Sequence, residues 1–398
     1  MGKGPLEGLT VIDASSIVAG PMAATVMGDY GAEVIKIEHP ARGDALRNMG
    51  LKKDGVPLWW KMVSRNKKAV TLNLSSPEGR EIFLKIVAKS DILIENFRPG
   101  TLERWGLGFD VLHAVNRGLV MLRVTGFGQN GPYAHRPGFG TVAEAMSGFA
   151  HITGAKDGPP TLPSMALADG IAGLFGAAAV MFALRWRDAG GGKGEGQVID
   201  LSLYEPLFYI LGAQVSYFDQ LGFVQERAGN RGLMGGAPRN AYQTKDGRWV
   251  AFSSNAPAIV ERIIRLLGLE KDSRFSTLFE AYKNGNELDA LLGKWIQEHA
   301  FQEVLSTFEE YEAAIGPVYS VADQFQDPHF LSRQDIVEIL DSELGKIKMQ
   351  GLVPRFSATP GSVEFAGPPK GAHNLEILRD WLGLEEEKLK ELKDKGVI

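Results

Sequence analysis

The chain has 398 residues, 43 Lys and Arg against 48 Asp and Glu for a formal charge of −5, and 44% hydrophobic residues; this is room for two or three domains with their own cores, and no long basic run to attract nucleic acid. Cysteine is absent, which excludes a disulfide framework, a thiolate metal site, an iron–sulfur cluster and a cysteine nucleophile together. The opening Met1-Gly2-Lys3-Gly4-Pro5-Leu6-Glu7 has no apolar leader and no stretch of about 18 uncharged apolar residues follows, so the expectation is a cytoplasmic protein with neither a secretion signal nor a membrane span.

The run Leu9-Thr10-Val11-Ile12-Asp13 reads as a buried strand, residues 20–27 as a small-residue helix opened by Gly20-Pro21, and residues 33–38 as a second strand. Together they make one right-handed βαβ unit. Residues 69–74 give a further strand, Ser76-Pro77-Glu78-Gly79-Arg80 the cap of a helix running to about 88, and residues 91–96 and 119–124 two more strands. Strands separated by helices of this length predict an α/β protein with a mostly parallel, doubly wound sheet.

Residues 139–188 carry long apolar helices rich in alanine and glycine, ending at the flexible run Ala189-Gly190-Gly191-Gly192-Lys193-Gly194. A strand at 197–201, helix to about 221 and a glycine-rich stretch at 229–237 follow. Residues 242–252 read as a hairpin turning at Asp246-Gly247. Amphipathic helices from about 256 to 313 complete a smaller α+β domain. The tail, 374–395, reads as one charged amphipathic helix, with Glu385, Glu386 and Glu387 spaced for ion pairs with Lys388, Lys390 and Lys393. Glycine, 48 residues in all, exceeds the usual ~7% share; tight turns and close backbone approaches are implied.

Gly126-Phe127-Gly128-Gln129-Asn130-Gly131 has the spacing of a dinucleotide fingerprint and follows a predicted strand. The fingerprint needs a helix N-terminus aimed at the pyrophosphate, whereas Pro132 and Pro137 delay any helix here. The first βα turn, residues 14–20, lacks the motif. Nicotinamide binding is therefore not expected. The seven histidines, at 39, 113, 135, 151, 299, 329 and 373, show no metal-ligand spacing, and neither a nucleophile elbow nor a phosphate loop with its Ser or Thr is present. No metal is expected.

Asp169 is the only charge between Asp157 and Arg185. Two readings stand open: a helix cap, or a carboxylate made more nucleophilic by an apolar, small-residue setting. Glu95-Asn96-Phe97-Arg98-Pro99-Gly100, with Arg104, closes a parallel strand where open α/β sheets bind ligands. It reads equally as a phosphate contact or as a solvated turn.

These segments, taken in order, resemble the family III CoA-transferases, the group that holds formyl-CoA transferase and the α-methylacyl-CoA racemases. The resemblance runs over nearly the whole chain, through Pro5-Leu6-Glu7-Gly8, Ala19-Gly20-Pro21, Gly31-Ala32-Glu33-Val34-Ile35-Lys36-Ile37-Glu38, Gly43-Asp44, Asn66-Lys67-Lys68, the 95–100 motif and Asp169. It implies an acyl-CoA:carboxylate CoA-transferase, working through aspartyl anhydride and aspartyl-CoA thioester intermediates on Asp169, with coenzyme A as substrate and no tightly bound cofactor.

The resemblance implies CoA contacts at His39, Leu72, Asn96, Phe97, Arg98 and Arg104, and at Arg136, which stands beside the place of a family lysine. It implies acyl contacts at Val18, Met49, Trp59, Phe139 and Gly140, where formyl-CoA transferase carries Gln, Trp, Tyr, Tyr and Glu. Those losses imply an acid more apolar than oxalate, with succinyl-CoA as donor and an aromatic or branched acid as acceptor. Gly235 and Gly236, followed by Ala237, match a mobile loop over the site. A racemase needs a histidine thirty positions before the aspartate, and Phe139 stands there; a non-catalytic CoA-binding subunit would not need Asp169. By the same resemblance the large Rossmann-like domain takes residues 1–200 completed by 345–398, the small α+β domain 226–325, and linkers 201–225 and 326–344. Ring-like subunits would interlock as a homodimer, or as a heterodimer with a paralogue.

Overall fold

The computed structural model describes residues 4–231, 238–254 and 256–398. Two compact units form, one from 1–149, 162–212 and 331–398 and the other from 150–161 and 213–330.

The first unit is built on β1 (Thr10–Asp13), α1 (Ala19–Asp29), β2 (Glu33–Glu38), β3 (Lys67–Thr71), α2 (Pro77–Val87), β4 (Ile92–Glu95), β5 (Val120–Thr125), α3 (Gly140–Met146), α4 (Leu167–Asp188), β6 (Val198–Ser202) and α5 (Tyr204–Tyr209). The six strands form one sheet in the order β3-β2-β1-β4-β5-β6, every pair parallel. Successive strand residues point to opposite faces, and here both faces are covered. Ile12, Ile35, Leu93 and Met121 join α2 and the C-terminal helices in one core. Val11, Val34, Ile94 and Leu122 join α1 and α4 in the other. Continuous apolar runs, rather than alternating ones, are the consequence of that double burial.

The small residues of α4 have a packing reason. A Cβ at Gly173 would stand 2.8 Å from Met22 Cβ, and one at Gly176 would stand 2.9 Å from Leu122 Cδ2, so α4 lies closer to α1 and the sheet than a larger stripe permits. By length and apolarity α4 would suffice to cross a bilayer; in this fold it covers the sheet. Ser76 caps α2 as its sequence suggests, accepting from the Gly79 amide at 3.1 Å.

The tail departs from a single helix. Leu375–Trp381 is wound as a π-helix, Gly383 takes φ 76°, and a separate helix runs Glu386–Asp394. Leu378 and Leu392, one on each side of the break, both reach the first core. The ion pairs differ accordingly: Glu386 meets Arg379 at 3.2 Å, while Lys388 and Lys395 meet Glu391 at 2.9 and 2.6 Å.

The second unit carries an antiparallel sheet in the order Ile315–Pro317, Trp249–Ser253, Arg239–Gln243. Its hairpin turns through Asp246 and Gly247, the latter at φ 81°. Helices Pro257–Leu266, Gly285–Glu298 and Phe301–Glu310 pack Ile263, Leu292 and Phe308 against Val250 and Phe252. Residues 150–161 belong to this unit because Arg227 donates to the carbonyls of His151 and Gly158 at 3.0 and 3.2 Å. The segments 201–225 and 326–344 are structured, carrying α5, the helix Gln214–Leu221 and the strand Ile336–Asp341.

Candidate active site

β1 and β4 are neighbours whose connections leave the sheet on opposite sides, and open α/β sheets bind ligands in the crevice at such a switch point. Two loops meet there. The Ser16 amide donates to Asn96 Oδ1, and Asn96 Nδ2 donates back to the Ser16 carbonyl, both at 2.8 Å. The Ile17 amide donates to Asp44 Oδ1 at 3.0 Å. Ile17 itself sits at φ 70°, a region that β-branched residues avoid; such strain persists only where surroundings over-determine it.

A buried charge cluster does so. Lys67 meets Asp13 at 2.9 Å, and Lys36 meets Asp44 at 3.0 Å and Asp13 at 3.5 Å. Lys36 also donates to the Ser15 carbonyl of the same loop. All four side chains are at most 3% exposed. Burial opposes ionisation of Asp13, yet Lys36 and Lys67 outweigh it and hold its carboxyl below the usual range. Burial likewise works against charged Lys36, and Asp13 and Asp44 reverse the sign and raise it. Two acids against two bases form a compensated set under the loop, the arrangement in which buried charge is tolerated.

Asp169 is not the cap of α4. The cap position is Ala166, which has no side-chain acceptor, and Asp169 lies in the first turn. Glu144 of α3 does the capping, its Oε1 accepting from the amides of Leu167 at 3.2 Å and Ala168 at 3.3 Å. The Asp169 carboxyl rests against Gly140, where a Cβ would stand 2.0 Å from Oδ2. Burial, then the negative charge of Glu144, push its pKa up to about 6 against the pull of its own backbone amide. A partly desolvated carboxylate with no cation paired to it among the described residues is a candidate for chemistry.

Asp169 opens onto a cavity of about 720 Å³. Val18, Met49, Trp59, Phe139 and Gly140 all line it, as do Asn96, Phe97, Arg98 and Arg136. A second cavity of about 430 Å³ shares Ser16 and Phe97 with the first and is lined by His39 and Leu72. Burial, then Arg42 and Lys370, lower the His39 pKa, and its Nδ1 accepts from the Ala41 amide at 3.2 Å. A neutral ring therefore presents Nε2–H as a donor at neutral pH. Arg104 lines neither cavity, its guanidinium donating to Thr101. Gly235 and Gly236, with Ala237, lie outside the described residues.

The structure adds Arg42 and Trp105 to the second cavity, with Trp105 edge-on to Phe97 at 5.1 Å. It adds Glu144, Thr125 and Gly126 to the first. Of these only Gly126 carried a signal, and the wrong one. A Cβ there would stand 2.7 Å from Gly138 Cα, so the glycine motif lets two wall segments touch. Its Gln129 amide goes to Asp200, and the next helix opens only at Gly140.

The family model for CoA-transferase family III matches residues 6–374. The chain belongs to the family III CoA-transferases. This transferase is 41% identical over 398 residues to the succinyl-CoA–D-citramalate CoA-transferase of Chloroflexus aurantiacus, across 99% of this chain and 98% of that one. It is 33% identical to the succinyl-CoA:glutarate CoA-transferase of Mus musculus, across 99% and 90%. The crystal structure of a CAIB/BAIF family protein from Brucella suis superposes with a TM-score of 0.84 at 30% identity, across 96% and 100%. The enzyme therefore works on CoA thioesters.

Proposed function

We propose that the enzyme moves CoA from succinyl-CoA to a short dicarboxylic acid through covalent intermediates on Asp169. The observation that carries this reading is the Asp169 carboxyl, free of capping duty, pressed against a glycine and opening onto the larger cavity. The 3′-phosphate and adenine end of CoA would take the second cavity, with Arg42, His39 and the Phe97–Trp105 wall. The pantetheine would pass Ser16 and Phe97, which both cavities share. Arg98 and Arg136 are the two cationic side chains lining the larger cavity. They suit the distal carboxylate of a dicarboxylic acyl group, as do the substrates named for the relatives, and they favour that acceptor over an aromatic one.

In the first step Asp169 Oδ attacks the thioester carbonyl; the C–S bond breaks, CoA leaves as thiolate and an aspartyl–succinyl anhydride forms. The thiolate then attacks the aspartyl carbonyl, succinate leaves and Asp169 holds CoA as a thioester. An acceptor carboxylate displaces the thiolate to form a second anhydride, and the thiolate attacks its acceptor carbonyl, releasing Asp169. Each exchange conserves an activated acyl bond, so no ATP is consumed. The amides of Gly140 and Thr141, in the first turn of α3, would serve the tetrahedral oxyanions.

Incubation with succinyl-CoA, a borohydride or hydroxylamine quench and peptide mass spectrometry tests the reading, with Asp169→Ala as control. Modification of Asp169, lost in the control, is the expected result. Binding without modification, with exchange of α-protons into deuterated water, would make it a racemase instead, although Phe139 supplies no base at the position where that chemistry needs one. The same proposal includes a cytoplasmic location, since its polyanionic substrates do not cross membranes unaided, and an interlocked homodimer. Leu174, Phe182 and Trp186 of α4 are 58%, 74% and 44% exposed, an apolar surface that supports association. Two relatives at 40% identity are named as β and α subunits of a succinyl-CoA–L-malate CoA-transferase, so mass determination in solution would be run with the chain alone.

A further inference from the structure

The reaction as proposed uses one carboxylate, yet the site buries two. Glu144 is 3% exposed. It projects from α3 onto the opening of α4, where its Oε1 accepts from Leu167 and Ala168, and Asp169 is the next residue along the same turn. Capping alone does not call for a glutamate, because a neutral amide or hydroxyl oxygen accepts two amide hydrogens equally well. What the carboxylate adds is charge, stabilised at the positive end of a 22-residue helix dipole.

We propose that Glu144 is a positioning residue of the transfer reaction: it clamps the first turn of α4 and sets a fixed negative charge beside Asp169 that favours the acylated, uncharged states of the nucleophile. The inference rests on Asp169 being that nucleophile. Free Asp169 and Glu144 repel one another, and the repulsion is relieved whenever Asp169 becomes an anhydride or a CoA thioester, just as it is when Asp169 takes up a proton. The intermediates are thereby brought closer in free energy to the resting enzyme. A surrounding cation would cancel the effect, and among the described residues no salt bridge to Glu144 or Asp169 is formed. Arg98 and Arg136, on the cavity walls, are both exposed. On the strand below, Arg123 is engaged by Glu95 at 2.6 Å and Glu103 at 2.8 Å. On α5, Glu205 accepts from the Ser202 amide at 3.3 Å; on α1, Asp29 stands at the far end and pairs with Arg65.

Glu144→Gln tests this, since it keeps the size and an acceptor oxygen for both amides while removing the charge. The direct readout is carbodiimide-driven amine labelling of Asp169 as a function of pH, followed by peptide mass spectrometry, which reports ionisation whether or not the enzyme turns over. Wild type is expected to show a midpoint near 6. The variant is expected to move down by about one pH unit, with a roughly tenfold smaller steady-state fraction of Asp169 trapped as the CoA thioester. An unmoved midpoint in a variant that still captures succinyl-CoA overturns the proposal and leaves Glu144 a simple cap. A wild-type midpoint in the ordinary carboxyl range overturns it with no variant needed. A wild type that is never captured by any acyl-CoA overturns the nucleophile reading as well.

Discussion

Replacing Asp169 by asparagine should abolish turnover and, at the same time, make the protein more stable. Folding raises the Asp169 pKa from 3.8 to about 6, so the native state binds a proton that the unfolded chain has released. Where the native state holds more protons than the unfolded one, stability falls as pH rises. The loss accumulates between about pH 4 and pH 6 and is complete above that window. A rise of about two pH units corresponds to roughly 3 kcal/mol, which we reduce to about 2 kcal/mol because the side chain retains some contact with water. Asparagine has nothing to ionise and avoids the cost. With about 2.1 cal/mol/K of unfolding entropy per residue over the roughly 270 residues of the first unit, Tm should rise by about 3–4 °C at pH 8. Paired calorimetric scans of wild type and Asp169→Asn at pH 8 and pH 4 measure this. A gain at pH 8 that disappears at pH 4 is the expected pattern. A variant no more stable than wild type at pH 8, or equally stabilised at both pH values, would refute the argument that the fold strains this carboxylate.

The methyl of Gly140→Ala would lie 2.0 Å from Asp169 Oδ2 and must push the carboxylate aside; kcat should fall by about a hundredfold with the urea midpoint held or raised, since alanine suits a helix better. Lys67→Met would remove one of the two cations that hold Asp13 and one of the donors to the Pro21 carbonyl, which keeps Thr25, at a cost of about 3–5 kcal/mol in equilibrium unfolding. Asp44→Ala would orphan the amides of Ile17 and Leu46 and strip Lys36 of one partner. A loss of about 2–3 kcal/mol is expected, together with a raised KM for the acyl-CoA, because Ile17 lines the acyl cavity.

The strands could be read from the sequence because a sheet covered on both faces needs mostly apolar, β-branched runs, and 9–13, 91–96 and 119–124 each hold one. Their order, which creates the switch point, is carried by helix packing and not by any one run. Asp169 stood out for the same physical reason that it matters: a lone charge in a long apolar stretch has no solvated face on which to hide. The groups that support it were invisible for the converse reason. Lys36 sits between Ile35 and Ile37, and Glu144 sits within a mixed helix; each has the look of an ordinary surface charge. Burial of a lysine such as Lys36 is affordable only in a compensated set, and the members of that set, Asp13, Lys36, Asp44 and Lys67, are 8 to 54 residues apart in the chain. Gly140 shows the limit from the other side. Its contribution is the side chain it lacks, and the need for that absence appears only once α3 brings it against the Asp169 carboxyl. In this transferase the carboxylate proposed to react is therefore legible from its neighbours in sequence, whereas the groups packed around it are legible only from their neighbours in space.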